Sequence, residues 1–80
     1  MNKYHFSTVF ECPVDGAQIA YEIALNSRKT VYVEEVIELL NGIVAPIIQE
    51  DLSDLLKWNF KDADVYVVAY HSGVKVETWR

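Results

Sequence analysis

The sequence predicts an α+β fold in the order β-β-α-α-β-β: a four-stranded, mostly antiparallel sheet with two helices packed on one face. Three observations predict it. Apolar residues alternate strictly at both ends of the chain, which is the period of a half-buried strand. Between those ends the apolar period changes to three and four, which is the period of an amphipathic helix. Turn pairs, Asp15-Gly16 and Ser72-Gly73, sit where hairpins would close. Eighty residues make a single domain, 1–80.

The first strand covers residues 4 to 12. Tyr4, Phe6, Phe10 and Cys12 share one face with Thr8; His5, Ser7, Val9 and Glu11 share the other. Pro13 ends it by removing a ladder donor. Residues 17 to 25 alternate again, with Ala17, Ile19, Tyr21, Ile23 and Leu25 as the apolar set. Alternation and the preceding turn favour a strand there; the alanine-rich composition also suits a helix.

From Val33 the residues Val36, Ile37, Leu40, Ile43, Val44, Ile47 and Ile48 recur at helical spacing, with Glu34, Glu35, Glu38 and Asn41 opposite. Acids in the first turn suit the helix dipole. Gly42 and Pro46 interrupt the pattern, giving either two helices with Pro46 at the first position of the second, or one kinked helix. The second segment carries Leu52, Leu55 and Leu56 inward and Glu50, Asp51 and Asp54 outward, with Trp58 and Phe60 plugging the core at its end. Residues 61 to 64 read as a polar connector. Val65 to His71 and Val74 to Trp79 read as the last two strands, the latter with Val74, Val76 and Thr78 on one face and Lys75, Glu77 and Trp79 on the other.

With 51% hydrophobic residues, a core can form without a metal or disulfide staple. The single cysteine, Cys12, has no partner and fits a reducing compartment or an inert apolar position beside Phe6 and Phe10. The chain opens on methionine without the apolar run of a signal peptide, and no stretch reaches the roughly 20 apolar residues of a membrane helix. The expectation is a complete cytoplasmic protein. Its net charge of −5 argues against direct binding to nucleic acid or to an anionic membrane.

Catalytic signatures are missing. The two histidines, His5 and His71, and Cys12 have no metal-ligand spacing. There is no nucleophile elbow and no glycine loop for phosphate. The acid pairs Glu34-Glu35, Glu50-Asp51 and Asp62-Asp64 read as solvated faces or caps. The expectation is no enzyme, no cofactor and no metal. Charge, however, is unevenly placed. Residues 34–64 hold eight acids against Lys57 and Lys61, a net −6 of the total −5, so the remainder carries +1. The predicted function is therefore a non-enzymatic interaction protein that binds and inhibits a protein with a basic surface, such as a viral or mobile-element inhibitor of a host nucleic-acid-binding enzyme. The predicted docking residues are Glu34, Glu35, Glu38, Glu50, Asp51 and Asp54, with Trp79 on the sheet.

The stretches Phe10-Glu11-Cys12-Pro13, 17–25, Thr30-Val31-Tyr32-Val33 and Val74-Lys75-Val76-Glu77 together resemble, as a hydrophobic pattern, the tunnelling fold of the 6-pyruvoyl- and 6-carboxytetrahydropterin synthases. Those synthases hold zinc with three histidines, including a His-x-His pair entering the second strand. Here that stretch reads Asp15-Gly16-Ala17-Gln18, so no catalytic or metal residue carries over. The resemblance implies the same topology, assembly side by side into a homo-oligomer, and, as the alternative function, a purine or pterin bound between subunits.

Overall fold

The computed structural model describes all residues, Met1–Arg80. Its order is β1 (Asn2–Glu11), β2 (Gln18–Ser27), α1 (Val33–Asn41), α2 (Gln49–Asn59), β3 (Ala63–His71) and β4 (Val74–Trp79). The strands form one antiparallel meander, β1-β2-β3-β4. The second predicted segment is thus strand from Gln18 on, Ala17 lying in the preceding loop, and of the two helical alternatives the structure has two separate helices.

Alternation sets the faces as the sequence predicts. Phe10, Ile19, Tyr21, Ile23, Leu25, Val65, Val67 and Ala69 point to the helical side and are buried. Val36 and Leu40 of α1 and Leu52 and Leu56 of α2 meet them in one cluster. At about 25 cal/mol per Å² of apolar surface, this cluster is the main stabilising term. The opposite sheet face has no helix over it. Tyr66 and Tyr70, whose strand is apolar on both sides, are assigned by the register to that open face, along with Trp79.

Both hairpins turn at a glycine, but the first closes through a six-residue loop, 12–17, rather than a two-residue Asp15-Gly16 turn. Gly16 has φ 73° and the Ala17 N–H is held by the Asp15 carboxylate at 3.0 Å. Ser72 and Gly73 have φ 52° and 82°, the paired positive values of a two-residue hairpin turn. Only glycine adopts these without strain, so Ser72 is the less comfortable of the two.

Several expectations are corrected. Pro46 does not open α2, which begins at Gln49. Residues 43–48 remain outside regular structure because Ile47 donates its N–H to the Glu11 carbonyl at 3.3 Å and Ile48 is extended. The apolar stripe of α1 is only partly buried: Val33 and Ile37 are exposed, since a nine-residue helix lying on a sheet buries one narrow face, and Val44, expected to continue the stripe, lies exposed beyond the helix end. Trp58 is no core plug. It is 72% exposed, with the Lys61 ammonium 4.7 Å above its ring, whereas Phe60 does pack on the core. The connector is shorter than expected, because Ala63 is buried and already in β3.

Candidate functional site

The structure separates the predicted docking residues into distinct surfaces. All six helical acids are exposed. Glu35 and Glu38 stand together along α1, where i and i+3 share a face. They rim a groove of about 410 Å³ between the two helices, whose apolar wall is Leu39, Ile43 and Leu55, with Asn59 at one end. Exposed Ile37 neighbours the acids on α1. Glu34 and Asp51 are exposed outside the groove lining. Asp54 is ion-paired with the Arg80 guanidinium at 2.6 Å, the only one of the six in a salt bridge. Glu50 lies instead at the N-terminal end of α2, beside a second pocket. Asp62 and Asp64, counted with this negative segment, are not on the helices: Asp62 pairs with Lys29 and Asp64 lies on the open sheet face.

Trp79 lies on the opposite side of the molecule from the acids. It is 63% exposed and its ring packs against Tyr66 at 5.2 Å. The Tyr66 hydroxyl donates to Glu77 at 2.7 Å, and Lys75 bridges the same carboxylate at 3.3 Å. These two partners hold the Glu77 carboxyl below its ordinary range, the Tyr66 hydrogen bond contributing most. The hydrogen bond to Glu77 raises the Tyr66 phenol above its usual range, and Lys75's own contact with Glu77 raises its ammonium likewise. A depression of about 500 Å³ adjoins this trio, lined by Lys3, Ala24, Asn26, Asp64, Tyr66 and Trp79 among others. Its lining sets Lys3 and Arg80 against Asp64, a slight positive excess, in contrast to the acidic helical groove.

A third cluster surrounds Gln49, a residue that pattern reading passed over. Gln49 is 2% exposed, and its amide nitrogen donates to the Val67 and Val76 carbonyls and to Thr78 Oγ1 at 2.9–3.1 Å. Three acceptors around the nitrogen fix the amide's orientation. The oxygen therefore faces His71 Nε2, 2.8 Å away, and that nitrogen carries the proton. The His71 ring also meets Tyr21 edge-on at 6.1 Å. Cys12, Tyr21, Glu50 and His71 line a pocket of about 190 Å³ here. Burial pushes the Tyr21 phenol up, and the nearby Cys12 and Glu50 charges add to it. Cys12 is half-buried against the core, as an apolar position would be, and the bonded His71 nitrogen is committed to Gln49, not to the thiol. The arrangement clamps α2 onto β3 and β4. Nowhere do three or more His, Cys, Asp or Glu residues converge as metal ligands would.

A signal for Gln49 did exist. Gln49, Leu52, Ser53 and Leu56 fall at i, i+3, i+4 and i+7, so a polar residue leads the buried stripe of α2. The groove had no comparable signal, because it depends on how α1 and α2 lie side by side. Compared with known proteins, the chain matches no family model, no curated protein and no solved structure.

Proposed function

We propose that this chain is a non-enzymatic binding protein whose helical layer docks on a basic surface of another protein. The observation that carries the reading is the groove between α1 and α2, in which Glu35 and Glu38 stand over an apolar wall of Leu39, Ile43 and Leu55. An apolar floor with an acidic rim suits a segment that offers an aliphatic or aromatic anchor flanked by lysine or arginine. Glu34, exposed on the same helix, extends the negative field around it. Such a field steers a positively charged partner and rejects nucleic acid and acidic proteins. A basic cleft that otherwise holds nucleic acid is a fitting target, and occupying it would inhibit its owner.

The test is affinity capture from source-cell lysate with the wild-type chain and a Glu35→Lys/Glu38→Lys variant, read by quantitative mass spectrometry. The expected result is a captured protein with a basic surface that the variant loses and that elutes as salt rises, because exposed charge contacts are screened. Equal capture of the same protein by both chains would exclude the groove as the docking site.

A further inference from the structure

We propose that two copies of this chain pair antiparallel along their β1 edges, joining their sheets into one continuous eight-stranded sheet. Ladder phase decides which β1 groups are free. Cys12 donates to Ala17 at 2.8 Å, so even-numbered β1 residues bond β2. The reciprocal pair between Val65 and Arg80 gives the same phase from the other side of the sheet. The N–H and C=O groups of Lys3, His5, Ser7 and Val9 therefore point away from the sheet with no intrachain partner. Glu11 marks the end of this window, because Ile47 already bonds its carbonyl.

A free edge of this length is usually blunted by a proline, a bulge or a covering loop. Between Lys3 and Val9 this one has no proline, and its pairing with β2 is unbroken. The side chains agree. On the helical side Tyr4, Phe6 and Thr8 are only half-buried, unlike their β2 neighbours Ile23 and Leu25. Apolar surface is left there that one copy does not cover.

The window also selects a register. Its midpoint is Phe6, so a twofold axis through Phe6 sets Lys3 against Val9 and His5 against Ser7 of the second copy. Every free N–H and C=O of the window is then used, and the seat of Ile47 is left alone. Phe6 meets Phe6 across the axis as a close, non-hydrogen-bonded pair on the helical side. Lys3 lies diagonal to Glu11 of the second copy on the open face, within reach of a long side chain. The self-pairing thus places opposite charges together at both ends. The β4 edge is the weaker candidate: the same phase leaves only Lys75, Glu77 and Trp79 free there. A β1-to-β4 contact would also be head-to-tail, whereas β1-to-β1 closes as a dimer.

The test is sedimentation velocity of the full chain over a concentration series, with amide hydrogen exchange on the same samples. The expected species has twice the 9.2 kDa chain mass, and the Lys3, His5, Ser7 and Val9 amides become protected as it forms. Ser7→Pro removes an N–H that the single copy does not use, so the chain stays folded by circular dichroism while association weakens by about tenfold or more. Lys3→Glu weakens it as well, and Lys3→Glu with Glu11→Lys restores it. A chain that stays at its single-copy mass at about millimolar concentration overturns the proposal, by the mass-action standard that even a weak dimer shows there. So does an oligomer in which those four amides exchange freely, or one that Ser7→Pro leaves intact.

Discussion

Gln49→Ala should remove a large share of the stability of this fold, although Gln49 is a polar residue at a helix end. The side chain is 2% exposed, its two amide hydrogens are shared among three acceptors, and its oxygen accepts from His71. A buried hydrogen bond contributes about 0.5–1.5 kcal/mol net. The Val67 and Val76 carbonyls lie within the β3–β4 ladder, so the lower half of that range applies to them. Thr78 Oγ1 and His71 lose a partner outright. Adding the space left by the truncated side chain, the loss comes to about 3–4 kcal/mol. A domain of this size has about 4–12 kcal/mol in total. The assay is urea unfolding at pH 7 followed by tryptophan fluorescence and circular dichroism. With a slope of about 1 kcal/mol per M, the midpoint should fall by about 3 M or the variant should be unfolded without urea. Gln49→Met, which keeps the volume, should cost about 1 kcal/mol less than alanine. Gln49→Glu should be the worst at pH 7, since it sets a carboxylate against two carbonyl oxygens. A Gln49→Ala loss below about 1 kcal/mol would refute the claim that this amide clamps α2 to the sheet, as would Gln49→Glu ranking as the mildest.

Other outcomes follow from the same contacts. Tyr21 titrates above its usual 10.0 in the folded chain, so its contribution is present below that value and lost as pH rises through the folded pKa; Tyr21→Phe should shift the alkaline unfolding midpoint upward in a pH titration by circular dichroism. Glu77 is held below its usual 4.5, so its contribution is present above pH 4.5 and lost as pH falls through the folded value; Glu77→Gln should flatten that part of the acid stability profile. Ser72→Asn should stabilise the chain by about 0.5 kcal/mol in thermal unfolding, because Asn-Gly accepts paired positive φ angles better than Ser-Gly. Leu52→Ala, at a fully buried position, should cost about 2–5 kcal/mol, whereas Ile37→Lys on the exposed side of α1 should change stability by less than about 0.5 kcal/mol.

The sheet was legible in the sequence because half-buried strands write their faces as alternation. Phe10, Ile19, Tyr21 and Ile23 fell inward as that period required. Gly42 and Pro46 marked an interruption, but whether it made two helices or one kinked helix, and where α2 starts, was not legible. Pro46 fits a first helical turn locally, yet the Ile47 bond to Glu11 and the burial of Gln49 keep the chain extended until residue 49. Trp58 and Ile37 were misplaced because hydrophobicity alone does not say which helix positions a flat sheet can cover. Of the predicted docking residues, the charges were legible as a run of acids, but their grouping was not. Glu35 and Glu38 share a groove, Glu50 and Asp54 lie elsewhere on α2, and Trp79 is on the far face. Those separations depend on helix packing and on the sheet register, which span residues distant in sequence.

The central claim is that the acid-rimmed groove, rather than the aromatic open face, receives a basic partner. The most direct measurement is calorimetric titration of the captured partner into three chains: wild type, Glu35→Lys/Glu38→Lys, and Trp79→Ala. The account predicts that the charge-reversed chain loses at least about a hundredfold in affinity while Trp79→Ala binds within about threefold of wild type. Undiminished binding by the charge-reversed chain, with binding lost on Trp79→Ala, would contradict it.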